Sequence, residues 1–228
     1  MHQRIDKKIK LYVYLFILLI LSTFNNQKLI NSSLFDFKID KIEVSGLSEK
    51  NNLIILEEIK KIFLGNIFFI KKDLLLEVLK KNNLINSFEI KKIYPDTLEI
   101  KIEKTKFLGL TNINGNSFFI GANGKLIKYN DSRKKLPYVF GKINIKNFIE
   151  FIETIKKSKF KLKKVKEIYY FPSGRWDIKT KNDQIFKLPI ENLLSKLDTI
   201  ENFSKNPKFK DAKIIDLRFK NKIIMSNE

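Results

Sequence analysis

The first third of the chain opens with a single uninterrupted apolar run. Leu11 to Leu21 holds only apolar residues and two tyrosines, and the stretch extends over residues 9–24 with Lys10, Ser22 and Thr23 as its interruptions. A membrane-spanning helix needs about 20 residues, with a range of about 17–25. Although the run is short for this purpose, lysine can extend its amino group towards the lipid surface. The pattern predicts one membrane anchor.

The charges before this run predict its orientation. Arg4, Lys7, Lys8 and Lys10 lie before the run that starts at Leu11, and basic residues flanking an anchor stay on the cytoplasmic side. We expect a cytoplasmic tail at residues 1–8, an anchor at 9–25 and a linker at 26–34. A cleaved signal peptide is the alternative, although the residues after Leu21 contain no small-residue cleavage site of the usual type.

Short repeating patterns follow the linker and predict a compact module of about 70 residues. Alternation of apolar and polar positions indicates strands, and apolar positions three or four residues apart indicate helices. Pro95 implies a turn or an edge strand. The predicted elements are, in order, a strand at 37–44, a helix through 53–62, a helix with Asp73 as its N-cap, a strand at 88–94 and a strand at 98–102.

The rest of the chain is rich in predicted strands. Asn-Gly pairs are typical of tight hairpin turns, and two of them flank an apolar strand. A final strand, tight turn and strand place one strand at the edge of a sheet. The predicted features are turns at Asn114-Gly115 and Asn123-Gly124, a helix through 148–155, strands at 176–180 and 185–188, a helix through 190–200, and strands at 215–219 and 223–225. The fold class is therefore α+β.

Composition narrows the possible functions. The formal net charge is +20, but only Arg4, Arg133, Arg175 and Arg218 are arginines among 45 basic residues. The lysines are spread evenly, which is typical of a solvated surface and does not predict a nucleic-acid partner. The chain contains no cysteine, so disulfides and thiolate sites are excluded.

The sequence contains no positive signal for an enzyme. His2 is the one histidine and lies in the expected cytoplasmic tail, which excludes a histidine-based triad or zinc site in the exported part. No glycine-rich phosphate loop is present, so we expect no cofactor, metal or catalytic residue. A hydrolase with two carboxylates stays open on composition alone.

Two features favour a binding function. A free sheet edge accepts a partner strand or must be protected from one, and Lys220 and Lys222 near the C-terminal edge fit either role. Arg175 and Arg218 are each expected within a strand, where arginine can hold carboxylates in a forked contact that lysine cannot make. These residues are the candidates for contact with a partner.

Several ordered motifs resemble the FtsQ/DivIB family of bacterial cell division proteins, in its alphaproteobacterial form. One of them, the hairpin around Phe118, has Gly121 where the family usually has aspartate. The motifs are the POTRA-like first strand at 37–46, the strand-proline-strand pattern at 93–103, the hairpin at 118–126, Leu136-Pro137 with Gly141, residues 174–178 with Leu188-Pro189, and the strand at 215–219. They follow one another in the family's order.

The resemblance implies a single-pass inner-membrane protein of the division septum, with a POTRA domain at 35–106 and a β domain at 107–228 in the periplasm. Such a protein binds FtsB and FtsL, meets other divisome members through its POTRA domain, and helps control septal peptidoglycan synthesis. The C-terminal strand region takes up a partner segment by β-addition. Carried over to this chain, the implied partner-binding residues are Arg175, Arg218, Phe219, Lys220, Asn221 and Lys222.

Two other functions fit parts of the pattern. A POTRA-bearing chaperone or transport component would need a downstream barrel, and no series of strands on that scale follows. A periplasmic cell-wall hydrolase would need two carboxyl groups about 5–10 Å apart in a cleft. An open terminal edge strand flanked by Arg175 and Arg218 would favour the binding protein.

Overall fold

The computed structural model describes residues 7–24, 37–62, 64–129, 135–203, 206, 209, 211–220 and 222–227. Helix α1 spans Lys7–Phe24 and contains most of the expected anchor; the tail before it and the linker at 26–34 lie outside the described residues, apart from the last two tail positions. Large apolar side chains of α1 such as Leu18 and Leu21 are exposed. Among the described residues, no helix combines the length and the apolar character needed to cross a membrane.

The chain forms two compact units. The first takes in the described residues up to Ser45, together with Glu49–Glu77 and Glu89–Lys101, and the second takes in Gly46–Ser48, Val78–Phe88 and the described residues from Ile102 onward. The division passes through two strands, so a few residues of the N-terminal sheet belong to the second unit.

The N-terminal sheet confirms the predicted strand and helix order. Its strands are arranged β1-β3-β2, with β1 parallel to β3. Apolar residues of both helices, such as Ile59 and Leu75, are fully buried, as is Ile100 of the central strand. The elements are β1 (Lys41–Ser45), α2 (Glu49–Lys60), α3 (Lys72–Lys81), β2 (Ile85–Ile93) and β3 (Thr97–Lys104).

Two local expectations in this region have different outcomes. Pro95 lies in the turn between β2 and β3, as predicted, and its bond to Tyr94 is cis. The expectation that Asp73 is an N-cap is wrong, because α3 begins at Lys72 and Asp73 lies inside its first turn. A carboxylate there still favours the helix, since it lies close to the positive end of the helix dipole.

The second unit is built on a nine-stranded mixed sheet, arranged β12-β11-β10-β9-β8-β7-β4-β5-β6. Asn114 and Gly115 both adopt positive φ between β4 and β5, which confirms the hairpin turn predicted there. The strands are β4 (Phe107–Ile113), β5 (Asn116–Gly121), β6 (Leu126–Lys128), β7 (Tyr138–Phe140), β8 (Val165–Tyr170), β9 (Trp176–Thr180), β10 (Ile185–Lys187), β11 (Ile214–Asp216) and β12 (Ile224–Ser226).

Two helices cover one face of this sheet and form the core of the unit. Helix α4 spans Ile145–Lys157 and helix α5 spans Leu193–Phe203. The side chain of Asn144 caps α4 by accepting from the N–H groups of the next turn. Phe151 of α4 stacks on Trp176 of β9 at 4.6 Å between ring centroids. Side chains at alternate strand positions point to the opposite face.

The end of the chain differs from the predicted tight hairpin. Strand β11 ends at Asp216 and β12 begins at Ile224, so the connection runs over residues 217–223. Helix α5 also starts later than predicted, and Ile190 is an exposed residue before it. Both differences arise because an apolar residue fits the local periodicity although it lies outside the element, as Ile190 does before α5 and Phe219 does after β11.

Candidate partner-binding edge

Strand β12 forms one edge of the nine-stranded sheet, as the sequence predicts. It pairs antiparallel with β11, and in the described part of the chain no strand pairs with its other side. Ile224 and Met225 are 45% and 48% exposed. An edge of this kind presents backbone donors and acceptors along which a strand of another chain can add.

Arg218 binds Asp216 at the end of the neighbouring strand. Its Nε lies 2.9 Å from Oδ1 and 3.0 Å from Oδ2 of Asp216, and its Nη2 lies 2.5 Å from Oδ2. The backbone N–H of Arg218 donates to Oδ1 at 3.1 Å. This forked contact fixes the guanidinium beside the edge of the sheet.

Arg175 makes a matching contact with Asp177. Its Nε lies 3.2 Å from Oδ1 and its Nη2 lies 3.4 Å from Oδ2. The guanidinium also lies over the ring of Phe171, with 4.0 Å between its carbon and the ring centroid, a favourable position for a cation. Asp177 itself is buried, because it is the second residue of a strand in the interior of the sheet.

The sheet brings the two arginine-aspartate pairs to one end of one face. Lys187 of β10 lies in register with Asp177 on one side and with Asp216 on the other, and cross-strand neighbours share a face. Strand β9 is antiparallel to β10, which is parallel to β11. The residue before β9 and the residues after β11 therefore lie at the same end, about 10 Å apart across two strand spacings.

The expectation that both arginines sit within strands is wrong in detail. Arg175 immediately precedes β9, and Arg218 lies two residues beyond the end of β11. Each arginine lies just outside the strand and reaches the aspartate two positions away within it. The carbonyl oxygen of Arg175 still accepts from the N–H of Phe171 at 3.0 Å.

The two aspartates respond differently to their surroundings. The hydrogen bonds from Arg218 hold the pKa of Asp216 below its usual value, against the opposing effect of burial. Burial raises the pKa of Asp177, although Arg175 and, more weakly, Arg218 act in the other direction. The contact with Asp216 also raises the pKa of Arg218. The positive charge of Arg218 is therefore permanent at neutral pH.

The loop between β11 and β12 carries the other candidate residues. Phe219 is 40% exposed, and Lys222 Nζ lies 5.2 Å from the centroid of its ring. Lys196 of α5 donates to the carbonyl oxygen of Phe219 at 3.3 Å. Lys220 is exposed, and Asn221 lies outside the described residues. Five of the six candidates are thus placed beside the edge strand or at the same end of its sheet.

Sequence reasoning missed Asp177 and Asp216, which hold the arginines in place. It also missed Lys187, which lies in register between the two aspartates. A signal for the aspartates is present in the sequence, since each lies two positions from an arginine. At a strand end this spacing puts both side chains on the same face. Lys187 gives no such signal, because its place between the aspartates depends on the parallel pairing of β10 with β11.

One cleft of the second unit bears on the hydrolase alternative. It has a volume of about 550 Å³. Among the described residues that line it, Glu201 is the one with a carboxylate, and it is paired with Lys164 at 2.7 Å. A hydrolase of the two-carboxylate type needs a second acid at this site. The cleft is lined by Phe160, Lys163, Lys164, Thr180, Lys181, Asn182, Gln184, Phe186, Ile200 and Glu201.

Fold and site together define a protein in which a POTRA-type module is followed by a β domain with an open edge strand. Residues 37–104 match the family model of the POTRA domain, FtsQ-type, and residues 109–218 match that of the cell division protein FtsQ/DivIB, C-terminal. The chain belongs to the FtsQ/DivIB family of cell division proteins.

The chain is similar to the major extracytoplasmic domain, in its trans isomer, of the bacterial cell division protein DivIB from Geobacillus stearothermophilus. The similarity has 15% sequence identity and a TM-score of 0.34, and covers 47% of this chain and 92% of that one. No curated protein sequence matches the chain.

Proposed function

We propose that this cell division protein is a non-enzymatic scaffold of the divisome that binds FtsB and FtsL, links early and late division proteins and helps control septal peptidoglycan synthesis. In this proposal residues 9–25 anchor it in the inner membrane at the division septum, with residues 1–8 in the cytoplasm. Residues 35–106 form the POTRA domain and residues 107–228 the β domain, both in the periplasm. The POTRA domain contacts other divisome members.

The observation that carries this proposal is the open edge of β12 beside Arg218. Addition of a partner strand supplies main-chain hydrogen bonds, and side chains next to the edge supply selectivity. Phe219 offers a half-exposed aromatic ring next to that edge, and aromatic and arginine residues often dominate binding energy at interfaces.

The bound arginines favour an acidic partner. A guanidinium has five N–H donors in a planar fork, more than one carboxylate needs. Arg218 contacts Asp216 through Nε and Nη2, so a second carboxylate can approach the rest of the fork. Because the aspartate already fixes the guanidinium, the partner does not have to immobilise a long side chain on binding.

The exposed apolar side chains of α1 support attachment to the membrane. Leu11 and Phe16 lie on different sides of the helix and both are more than half exposed, and Lys8 and Lys10 lie at its N-terminal end. A helix that is apolar on all sides needs an apolar environment. Resistance of the full chain to alkaline extraction from membranes is the expected result, and release into the soluble fraction would contradict the anchor.

Site-specific photocrosslinking tests the binding edge in cells. A photoreactive amino acid replaces Met225 on β12 in one variant and Lys128 on β6, the opposite edge strand, in the matched control. We expect an FtsB adduct at position 225 and none at position 128. Equal adducts at both positions, or adducts at position 128 alone, would reject β12 as the binding edge.

A further inference from the structure

The N-terminal unit exposes a group of aromatic side chains that the proposed binding edge does not involve. The rings of Phe68 and Tyr94 stack at 5.0 Å between centroids, and Phe37 meets Phe68 edge-on at 4.9 Å. Phe69 is 83% exposed and Tyr94 is 56% exposed. We call Phe37, Phe68, Phe69 and Tyr94 the aromatic cluster.

A capped turn holds the cluster outward. Asn66 accepts from the backbone N–H of Phe68 through Oδ1 at 2.8 Å, and its carbonyl oxygen accepts from the N–H of Phe69 at 3.0 Å. Ile67, between them, is fully buried and ties the turn to the core. The turn therefore directs one apolar side chain inward and two aromatic side chains towards solvent. Exposure of this apolar surface to water is unfavourable.

Lysines surround the cluster. Lys71 and Lys72 follow the turn directly and are exposed, and Lys92 Nζ donates to the carbonyl oxygen of Phe68 at 3.1 Å. The nearest acids in sequence are Asp36, beside Phe37, and Asp96, two residues after Tyr94. The carboxylate of Asp96 accepts a hydrogen bond from the Thr97 hydroxyl at 2.7 Å. Exposed aromatic rings bordered by lysines are typical of surfaces that sit at the headgroup layer of a membrane.

The chain enters the unit at this cluster. Helix α1 ends at Phe24, and Phe37, a member of the cluster, begins the described part that follows. The residues at 25–36 span at most roughly 45 Å when fully extended, at about 3.3–3.6 Å per residue. Phe37 also tethers the turn, since its carbonyl oxygen accepts from the N–H of Ile67 at 2.8 Å. Phe37 is thus the cluster residue nearest to α1 along the chain.

We propose that the aromatic cluster docks on the phosphate headgroup layer of the membrane that holds α1. Phe69 and Tyr94 enter the interface, and Lys71, Lys72 and Lys92 face the anionic lipid phosphates. This inference rests on the proposed anchoring by α1. A lipid surface is favoured over a protein partner because Phe37 joins the cluster to α1 through a connection of 12 residues at most about 45 Å long, and because Lys71 and Lys72 complement phosphate.

The chain has no cysteine, so a single spin label can report the environment of the cluster without background. The full chain is reconstituted in vesicles of phosphatidylcholine with phosphatidylglycerol, carrying a label at Phe69→Cys, or at Glu57→Cys on exposed α2 as a control. The measured quantity is the accessibility of the label to oxygen divided by its accessibility to a water-soluble nickel complex, which is high in lipid and low in water. We expect this ratio to be several-fold higher at position 69 than at position 57. Water-like accessibility at both positions overturns the proposal.

Flotation of the same samples separates the two proposals. If the chain floats with the vesicles but the label at position 69 is accessible to water, membrane anchoring by α1 is supported and docking of the cluster is rejected. A chain that does not float rejects both, because the cluster has then failed to bind lipid as well. If the label is accessible to water in vesicles but protected from water in native membrane fragments, the cluster binds a protein partner and the proposal of lipid docking is overturned.

A charge variant tests the role of the lysines. With the label at position 69, Lys71→Gln combined with Lys72→Gln should lower the accessibility ratio in phosphatidylglycerol-containing vesicles, and have a smaller effect in phosphatidylcholine alone. The control Lys60→Gln, at the end of α2, should leave the ratio unchanged. An equal loss from both kinds of variant would reject a specific contact between the cluster's lysines and phosphate.

Discussion

Asp216 and Arg218 are bound to each other through both the side chain and the backbone of the arginine, with Nε–Oδ1 at 2.9 Å and N–Oδ1 at 3.1 Å. The aspartate is 7% exposed, while the arginine lies on the surface. The pair therefore has two roles. It satisfies a buried carboxylate at the end of β11, and it sets the position of the guanidinium that we propose contacts the partner.

Removal of this guanidinium should destabilise the second unit. Arg218→Ala leaves the Asp216 carboxylate without its main donor, and an unsatisfied buried polar group costs about 1–3 kcal/mol. Denaturant unfolding followed by circular dichroism should show a lower midpoint. Arg218→Lys, which keeps the charge but not the fork, should fall in between. A wild-type midpoint for Arg218→Ala would show that the pair does not contribute to stability.

Neutralising Asp216 and Asp177 should give stability differences of opposite slope with pH. The folded pKa of Asp216 is lowered by Arg218, so its contribution to stability is present above the ordinary pKa and lost as pH falls through the folded one. The folded pKa of Asp177 is raised by burial, so its contribution is full below the ordinary pKa and declines as pH rises through the folded one.

The measurement is the urea midpoint of each variant relative to the natural chain, between about pH 3 and 6, a range around the ordinary aspartate pKa of about 3.9. Asp216→Asn should lose relative stability as pH rises, and Asp177→Asn should gain it. Slopes of the same sign for the two variants would contradict the assignment of burial as the main influence on Asp177.

Tyr169 should titrate well above an ordinary tyrosine. Burial, together with the hydrogen bond from its hydroxyl to Glu167, raises its pKa to about 12. The stabilisation of the folded state is full below the ordinary pKa of about 10 and is lost as pH rises through the folded value. Phenolate absorbance should show one late-titrating group, which disappears in Tyr169→Phe. Glu167→Gln should lower the pKa of Tyr169 only part of the way to the ordinary tyrosine value, since burial is the larger cause of the shift.

Truncation of Phe219 should weaken partner capture and leave the fold intact. Phe219→Ala removes a ring that is 40% exposed beside the edge strand, and we expect at least a several-fold loss of FtsB captured by the chain in a pull-down. Ile113→Ala, at a position equally exposed on β4, is the matched control and should bind normally. Equal capture by both variants would exclude Phe219 from the interface. Unlike Arg218, Phe219 does not hold a buried charge, so its variant separates binding from stability.

Local patterns predicted much of this fold. The alternation around Ile100 and the periodicity around Ile59 reflect burial on one face, which depends on nearest neighbours in sequence and therefore predicts element type well. Asn114-Gly115 predicted a hairpin turn for a similar reason, because positive φ at two successive residues is a requirement of the turn itself. The final edge strand followed from the same reasoning.

Features that depend on pairing between distant strands were not predictable. The row formed by Asp177, Lys187 and Asp216 exists only because β10 pairs with β9 on one side and β11 on the other. The end of β11 was misplaced because Leu217 and Phe219 continue the apolar alternation beyond Asp216. The outward turn at Phe68 was also missed, since apolar residues in an Ile-Phe-Phe run are ordinarily taken as core.

The position of β12 in the sheet also bears on the kinetics of assembly. Strand β12 depends on β11, and β11 joins β10 by a parallel pairing that must first close the long connection through α5. Closing such loops costs chain entropy before any contact repays it, which delays non-local sheet formation. We expect amide hydrogens of β8 and β9, joined by a short turn, to become protected earlier in refolding than those of β11. The edge proposed to bind the partner would then be among the last parts of the sheet to form. The partner would therefore bind only to chains whose β domain has finished folding.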